Sequence, residues 1–293
     1  MAGTPTDGHA SAPGGPNDAG VAVALTESPS PRGRRLALVG PGRAGGAVAG
    51  ALAAGGWTVV GVAGRDADAA SVRATAQRFG AVAGDPATVV AGADLVVIAT
   101  PDRAIEAVAG AIADSVAPDT LVIHLSGARG VEALEAIPAR TGALHPLQTL
   151  PDPIQGTTRL AGAYAAVAGD AVVEDLANDM GMIPFRVADE DRVAYHAAAC
   201  IASNHLVTLL AQVEGCTDVP VAAFLPLMQA TLDNVADLGT RGALTGPVAR
   251  GDVATVRAHL DAIPVTERPA YAAMARRTAV LAGRADEFAA VLT

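Results

Sequence analysis

The chain has 293 residues, 51% of them apolar but only 3% aromatic, and a net charge of −10. That length can hold two modest domains with cores of their own, and an acidic balance with no basic stripe excludes nucleic acid and anionic membrane surfaces as partners. Lysine does not occur, so all 20 cationic residues are arginines, which excludes Schiff-base chemistry, a phosphate-loop lysine and a lysine general acid.

Residues 1–34 are rich in Pro, Gly, Ser and Ala without periodicity, and read as a disordered tail outside the fold. Val21 to Leu25 is too short an apolar core for a secretory signal. The folded chain opens with the apolar run Leu36-Ala37-Leu38-Val39, then Gly40-Pro41-Gly42-Arg43-Ala44-Gly45, an alanine-rich helix from about Arg43 to Ala54, and a second strand, Val59 to Ala63. A short run apolar on both faces suits a buried parallel strand. Gly40 permits a sharp turn, Gly42 lets the backbone approach a pyrophosphate, and Gly45 allows the helix to pack on the strand. Free N–H groups at the helix start, including those of Arg43 and Ala44, then face the phosphates. After the second strand, where NAD-selective sites place an acidic residue, this chain has Gly64-Arg65. An arginine fork suits a 2′-phosphate, so NADP(H) is the expected cofactor, with Arg65 the main contact and Arg43 a second. The alternative is that both arginines are simply solvated, and Asp66 leaves room for NAD.

Further along, Ala67 to Phe79 reads as a helix stopped by Gly80, Ala81 to Ala83 as a short strand, and Pro86 to Ala91 as a helix. Asp94 to Ala99 is a buried strand ending in Thr100-Pro101-Asp102. A helix from about Arg103 to Ser115 leads to the strand Thr120 to Leu125, which ends at Ser126-Gly127. Strands are also expected at Gly142 to Leu144, before His145-Pro146-Leu147-Gln148, and at Ala163 to Ala168 and Ile183 to Val187, with a helix near Val172 to Met180. This alternation specifies an α/β fold with a doubly wound parallel sheet, in which ligands bind beyond the carboxyl ends of the strands. Thr100, Pro101 and Ser126 fall there.

From Asp191 onward strand signals vanish and helices are expected over Arg192–Val213, Val219–Leu238, Asp252–Ala262 and Pro269–Ala282. The organisation is therefore a Rossmann dinucleotide-binding domain over 35–189 and a second, all-helical domain over 190–293. The apolar stretch Ala194 to Ala211 carries His196, Ser203, Asn204 and His205, and is too short and too polar to span a bilayer comfortably. Cys200 and Cys216 are expected as reduced thiols in a cytoplasmic protein, and the six histidines show no metal-ligand spacing, so no metal is expected.

Chemistry points first to the helix after Asp191. His196, Cys200, Ser203, Asn204 and Val207 fall on one helical stripe, and burying such groups unpaired costs ~1 to 3 kcal/mol each. A stripe of this kind suits a cleft wall. Hydride transfer to a carbonyl or imine needs a proton donor, and without lysine His196 is the first choice, with Asn204 and Ser203 orienting the substrate. A core histidine bonded to a backbone carbonyl is the alternative. The Ser126 hydroxyl and nearby N–H groups are candidates for holding a substrate carboxylate or the nicotinamide carboxamide. His124, inside its strand, reads as structural. His145, at a strand end before proline, is a further catalytic candidate. Leu244 to Asp252 breaks the helical pattern; Asp252 with Thr255 reads as an N-cap, while Thr245 and Arg250 are weaker site candidates.

These motifs resemble a family of oxidoreductases that join a Rossmann-like domain to a helical domain of unknown function 2520. That family is similar to the 6-phosphogluconate dehydrogenase-like group, which includes pyrroline-5-carboxylate reductases, prephenate dehydrogenases, beta-hydroxyacid dehydrogenases and ketopantoate reductases. The resemblance covers about Arg35 to Leu281. Its specific segments are Tyr195-His196 to Asn204, and Leu244-Thr-Gly-Pro247 with Arg250-Gly-Asp252. It implies an NADP-linked reductase whose helical domain closes the cleft and builds a dimer. By position, Ser126-Gly127 matches the carboxylate-holding loop of beta-hydroxyacid dehydrogenases, and His145-Pro146 resembles a histidine-proline pair of prephenate dehydrogenases. The catalytic lysine of beta-hydroxyacid dehydrogenases has no counterpart here. The expected function is NADPH-dependent reduction of a small carboxylated 2-oxo or imino substrate, ketopantoate-like among others. A non-catalytic NADP(H) sensor or scaffold and an F420-dependent oxidoreductase are the alternatives.

Overall fold

A computed structural model describes residues 34–292, so the expected tail, apart from Arg34, lies outside the described residues. The elements, in chain order, begin with β1 (Arg35–Val39), α1 (Arg43–Ala54), β2 (Thr58–Ala63), α2 (Ala70–Phe79), β3 (Val82–Gly84), α3 (Pro86–Val90), β4 (Leu95–Ile98), α4 (Ile105–Ile112) and β5 (Leu121–His124). They continue with β6 (Arg140–Leu147), α5 (Pro153–Leu160), β7 (Tyr164–Gly169), α6 (Val172–Asp179) and β8 (Ile183–Arg186). All eight strands form one sheet in the order β3-β2-β1-β4-β5-β6-β7-β8.

Local chemistry explains the well-anticipated elements. β4 and β5 are buried along their whole length, as a sheet covered on both faces requires. Gly80 adopts the left-handed conformation that ends α2. Asp85 caps α3 by accepting from the Thr88 N–H, with Pro86 at the first helical position. Two apolar layers result: one joins α1 and α6 to Leu36, Leu38, Val97 and Ile123, and the other joins α3 and α4 to Ala37, Val39, Val96 and Ile98.

Two features depart from the sequence-based reading. The sheet is parallel from β3 through β6, but β6 pairs antiparallel with β7, with His145 opposite Ala166. Between β6 and β7 lies α5, an unanticipated helix capped by Asp152, with Pro153 first in the helix. It packs on α1. Small residues allow that packing. A Cβ on Gly46 would stand 2.8 Å from the Pro153 Cβ, and one on Gly50 would stand 2.3 Å from the Thr157 hydroxyl.

The helical half follows as α7 (Arg192–Cys200), a π-helical turn over Ile201–His205, and α8 (Leu206–Cys216), one unbroken rod. Next come α9 (Leu225–Gly242), α10 (Pro247–Arg250), α11 (Val253–Ala262), α12 (Arg268–Leu281) and α13 (Ala285–Phe288). Val248, Val256, Ala275, Ala279, Phe288 and Leu292 form a small core of their own. The rod and α9 have none. Apart from Arg192 no residue of α7, the π turn, α8 or α9 is buried, and Val207 and Leu227 are 66% and 65% exposed. The rod from Asp189 to Cys216 has 28 residues, and its most apolar 18-residue window has a mean hydropathy of 1.3. It outruns the stretch expected from sequence and by length and composition alone is long enough to cross a bilayer.

Candidate active site

The glycine turn lies where the sequence reading puts it. Gly40 has φ +99°, and a Cβ there would collide with the Ala99 carbonyl at 2.6 Å. A Cβ on Gly45 would stand 2.3 Å from the Gly40 oxygen. Gly42 differs, since a Cβ there would meet nothing within 4 Å and would project into open space before α1. No side chain caps α1, so the amides of Arg43, Ala44 and Gly45 keep their donors for a ligand. That open cradle fits a diphosphate. Arg65, just past β2, and Arg43 are exposed, and neither has an ion-pair or hydrogen-bond partner among the described residues. Both suit an added phosphate. Thr100 and Pro101 follow β4; the Thr100 hydroxyl is buried without a partner, and its backbone N would stand 2.8 Å from a Cβ on Gly40.

On the same edge of the sheet a cleft of about 420 Å³ is lined by His145 to Thr149 on one side and by His196, Cys200, Ser203 and Asn204 on the other. The π turn adds Ala202 to this wall, while Val207, assigned to the stripe from sequence, is absent from the lining. A π turn is under-wound relative to an α-helix and so shifts the face that an α-helical wheel predicts, and such turns recur at functional sites. His145 and His196 meet edge to face with ring centroids 5.8 Å apart. Gly127 makes room for both: a Cβ there would stand 2.8 Å from His196 Cδ2 and 2.9 Å from His145 Nε2.

His145 Nδ1 bonds the Tyr195 hydroxyl at 2.8 Å. Burial, with further contributions from His196 and Arg192 against an opposing one from Asp102, pushes the His145 pKa down to about 4. His145 is therefore uncharged at neutral pH. Burial likewise pushes the Tyr195 hydroxyl up, so it stays protonated.

Ser126 is placed differently from expectation. It is buried, its hydroxyl accepts from the Ala128 and Arg129 N–H groups, and it is not part of the cleft lining. Its work is to hold the turn that presents Gly127. His124 is structural, as its position in the strand suggested: Nε2 faces the Gly130 carbonyl at 2.9 Å while Nδ1 accepts from the Ser126 N–H. Thr245 and Arg250 lie outside the cleft lining of this chain.

Sequence reading missed Arg192 and did not assign Tyr195. Arg192 is fully buried, donates through Nη2 to the Ser126 carbonyl at 3.2 Å, and leaves Nε and Nη1 without partners. A buried guanidinium with idle donors is costly, so it marks a place where structure serves something besides stability. Its sequence position, at the start of a helix after three acidic residues, reads as ordinary surface. Tyr195 could have been found from its place beside His196 in a chain with only 3 tyrosines.

Residues 26–151 match a Rossmann-like domain, and residues 162–278 match the domain of unknown function DUF2520. No curated protein matches the chain. Among solved structures, the fold is similar to a candidate NADP oxidoreductase from Bacteroides fragilis, with TM-score 0.72 and 24% identity over 85% of this chain and 98% of that one. A protein from Thermotoga maritima gives TM-score 0.65 and 24% identity over the same shares of the two chains. A reductive aminase from Aspergillus terreus, solved with NADPH and ethyl levulinate, gives TM-score 0.60 and 15% identity over 87% of this chain and 99% of that one. The chain therefore joins a Rossmann-like domain to a DUF2520 domain, the combination that its sequence resembles.

Proposed function

We propose that this protein is an NADP(H)-dependent oxidoreductase that reduces a small carboxylated 2-oxo or imino compound. The observation that carries this reading is the convergence, on one edge of the sheet, of an open dinucleotide cradle at Gly42 and a cleft walled by His145 and His196. Fold likeness to structures described as NADP- or NADPH-linked supports the same reading. The unpaired Arg65, where an acidic residue would select NAD, supports NADP(H).

When bound, the reduced nicotinamide supplies a hydride to the carbonyl or imine carbon. His196 then donates the proton taken by the oxygen or nitrogen that receives the electron pair. Asn204 and Ser203 orient the substrate from the rod, and His145 holds it from the sheet. Gly127 keeps the two imidazoles within reach of one substrate.

The same reading includes a homodimer through the helical half. A rod whose apolar 18-residue window has a mean hydropathy of 1.3 and no buried residue calls for a cover. The neighbouring α9 mixes exposed Leu227, Leu232 and Leu238 with Asp233 and Asp237, which suits a second copy better than a bilayer.

The test is a titration of NADPH against NADH and reduced F420, followed by turnover with a panel of oxo and imino acids that includes ketopantoate. Tighter NADPH binding and consumption with at least one panel member are expected. NADPH binding with no turnover would instead indicate a sensor, and preference for F420 a deazaflavin enzyme.

A further inference from the structure

The two histidines on the sheet side are wired in opposite ways. His124 has both ring nitrogens engaged by backbone, at Gly130 and Ser126, and can offer nothing to a ligand. His145 has only Nδ1 engaged, by the Tyr195 hydroxyl at 2.8 Å. Its Nε2 has no hydrogen-bond partner among the described residues, is not sealed from solvent, and belongs to a side chain lining the cleft.

Tyr195 is itself held by a line of rings. Tyr164 of β7 packs edge-on against Phe185 of β8 with centroids 6.2 Å apart, Phe185 against Tyr195 at 5.8 Å, and Tyr195 against His145 at 5.6 Å. In a chain with 4 phenylalanines and 3 tyrosines, three of these seven rings stand in one file ending at the cleft. Edge-to-face contacts of this kind fix ring orientation.

We infer that Tyr195 is a positioning residue that sets the tautomer of His145, so that His145 presents an N–H at Nε2 to the cleft. A phenol is a better hydrogen-bond donor than a neutral imidazole N–H, and an imidazole nitrogen a better acceptor than a phenol oxygen. The shared proton therefore stays on Tyr195, Nδ1 accepts, and the ring's own proton is left on Nε2. Uncharged and with a fixed donor, His145 recognises a hydrogen-bond acceptor and does not shuttle protons. Proton donation is thereby left to His196. The substrate group opposite His145 is a carboxylate or carbonyl oxygen, not an amine. This deepens the reductase reading and rests on it for the substrate's identity, but the tautomer itself is independent of turnover.

The experiment is long-range proton–nitrogen NMR of the full chain labelled with nitrogen-15 in histidine, with the His145 signals assigned by their loss in His145→Gln. One tautomer is expected, protonated at Nε2 and bare at Nδ1. Tyr195→Phe, which keeps the ring file and removes only the hydroxyl, is expected to give mixed tautomers. The same substitution raises the KM for the best oxo or imino acid about tenfold and leaves NADPH affinity unchanged. A proton on Nδ1 in the unmodified protein, or an unaltered tautomer in Tyr195→Phe, overturns the inference. If the tautomer is as stated but no panel compound consumes NADPH, the reductase reading fails while the role of Tyr195 stands.

Discussion

The sheet half of the molecule and the rod that follows it satisfy opposite rules. In the sheet half, Leu36, Val97, Ile98 and Ile123 are fully buried, and helices cover both faces within one chain. In the rod, Val193, Ile201 and Val207 are 68%, 58% and 66% exposed and meet no core. Burying a side chain of that size is worth roughly 1.5 to 3 kcal/mol, so the rod carries apolar surface whose natural fate is contact. The cleft lies on the seam between the two. His145 and Gly127 come from the half that is complete in itself, and Tyr195, His196, Ser203 and Asn204 from the half that is not. A site assembled in this way couples chemistry to whatever covers the rod.

The sharpest way to break the contrast is to make the rod's surface repel a cover. Val207→Asp combined with Leu227→Asp is expected to leave a monomer by light scattering, with turnover lost and NADPH still bound. A dimer that persists, or an unmodified protein already monomeric, removes the second copy from the explanation. The next largest effect should come from the sheet side of the seam. Gly127→Ala forces the two imidazoles apart, and a displacement of that scale is expected to lower kcat about 100-fold with NADPH affinity unchanged. Unaltered kcat would mean that the pair does not act together.

A third change touches the self-sufficient half alone. Arg65→Ser is expected to weaken NADPH binding about tenfold, ~1.4 kcal/mol, and to leave NADH binding as it was. Equal effects on both would show that Arg65 does not meet the extra phosphate.

The last effect is thermodynamic and bears on folding, not on binding or turnover. With a pKa of about 4 in the fold against 6.5 ordinarily, His145 takes up its proton in the unfolded chain first. Its contribution is complete above about pH 6.5 and is lost as pH falls toward 4. The buried His124 is shifted the same way. Urea unfolding at stepped pH should show a decline on the order of 3 kcal/mol across this window, shallower in His145→Gln. Identical slopes would mean that His145 is not held neutral.

What the sequence disclosed follows the same divide. α1 falls at Arg43–Ala54, the span read from sequence, because Gly40, Gly42 and Gly45 fix the turn by sterics that leave little else possible. β4 and β5 were legible because runs such as Leu-Val-Val-Ile have no other home. α5 was not, since its 8 residues are polar on one side and short. The reversal of β7 was also hidden, because an apolar strand reads alike in either direction. At the site, His196 was legible as an ionisable group in an apolar helix. The burial of Arg192 was not, because nothing local distinguishes a buried arginine from a solvated one. The π turn was equally silent, so the sequence-based stripe carried Val207 into the cleft and left Ala202 out. Ser126 lies at a strand end, where function concentrates in such sheets, but its oxygen accepts from the Ala128 and Arg129 N–H groups of the turn and its side chain is outside the cleft lining.

The most direct measurement compares His196→Ala with the unmodified protein in two readings: NADPH affinity by titration, and NADPH consumption with the best oxo or imino acid. Unchanged affinity with consumption lowered at least 100-fold is expected, in keeping with ~10²- to 10⁴-fold contributions of positioned proton donors. Undiminished consumption in His196→Ala, or no NADPH binding by the unmodified protein, would contradict a hydride-transfer site on the seam between sheet and rod.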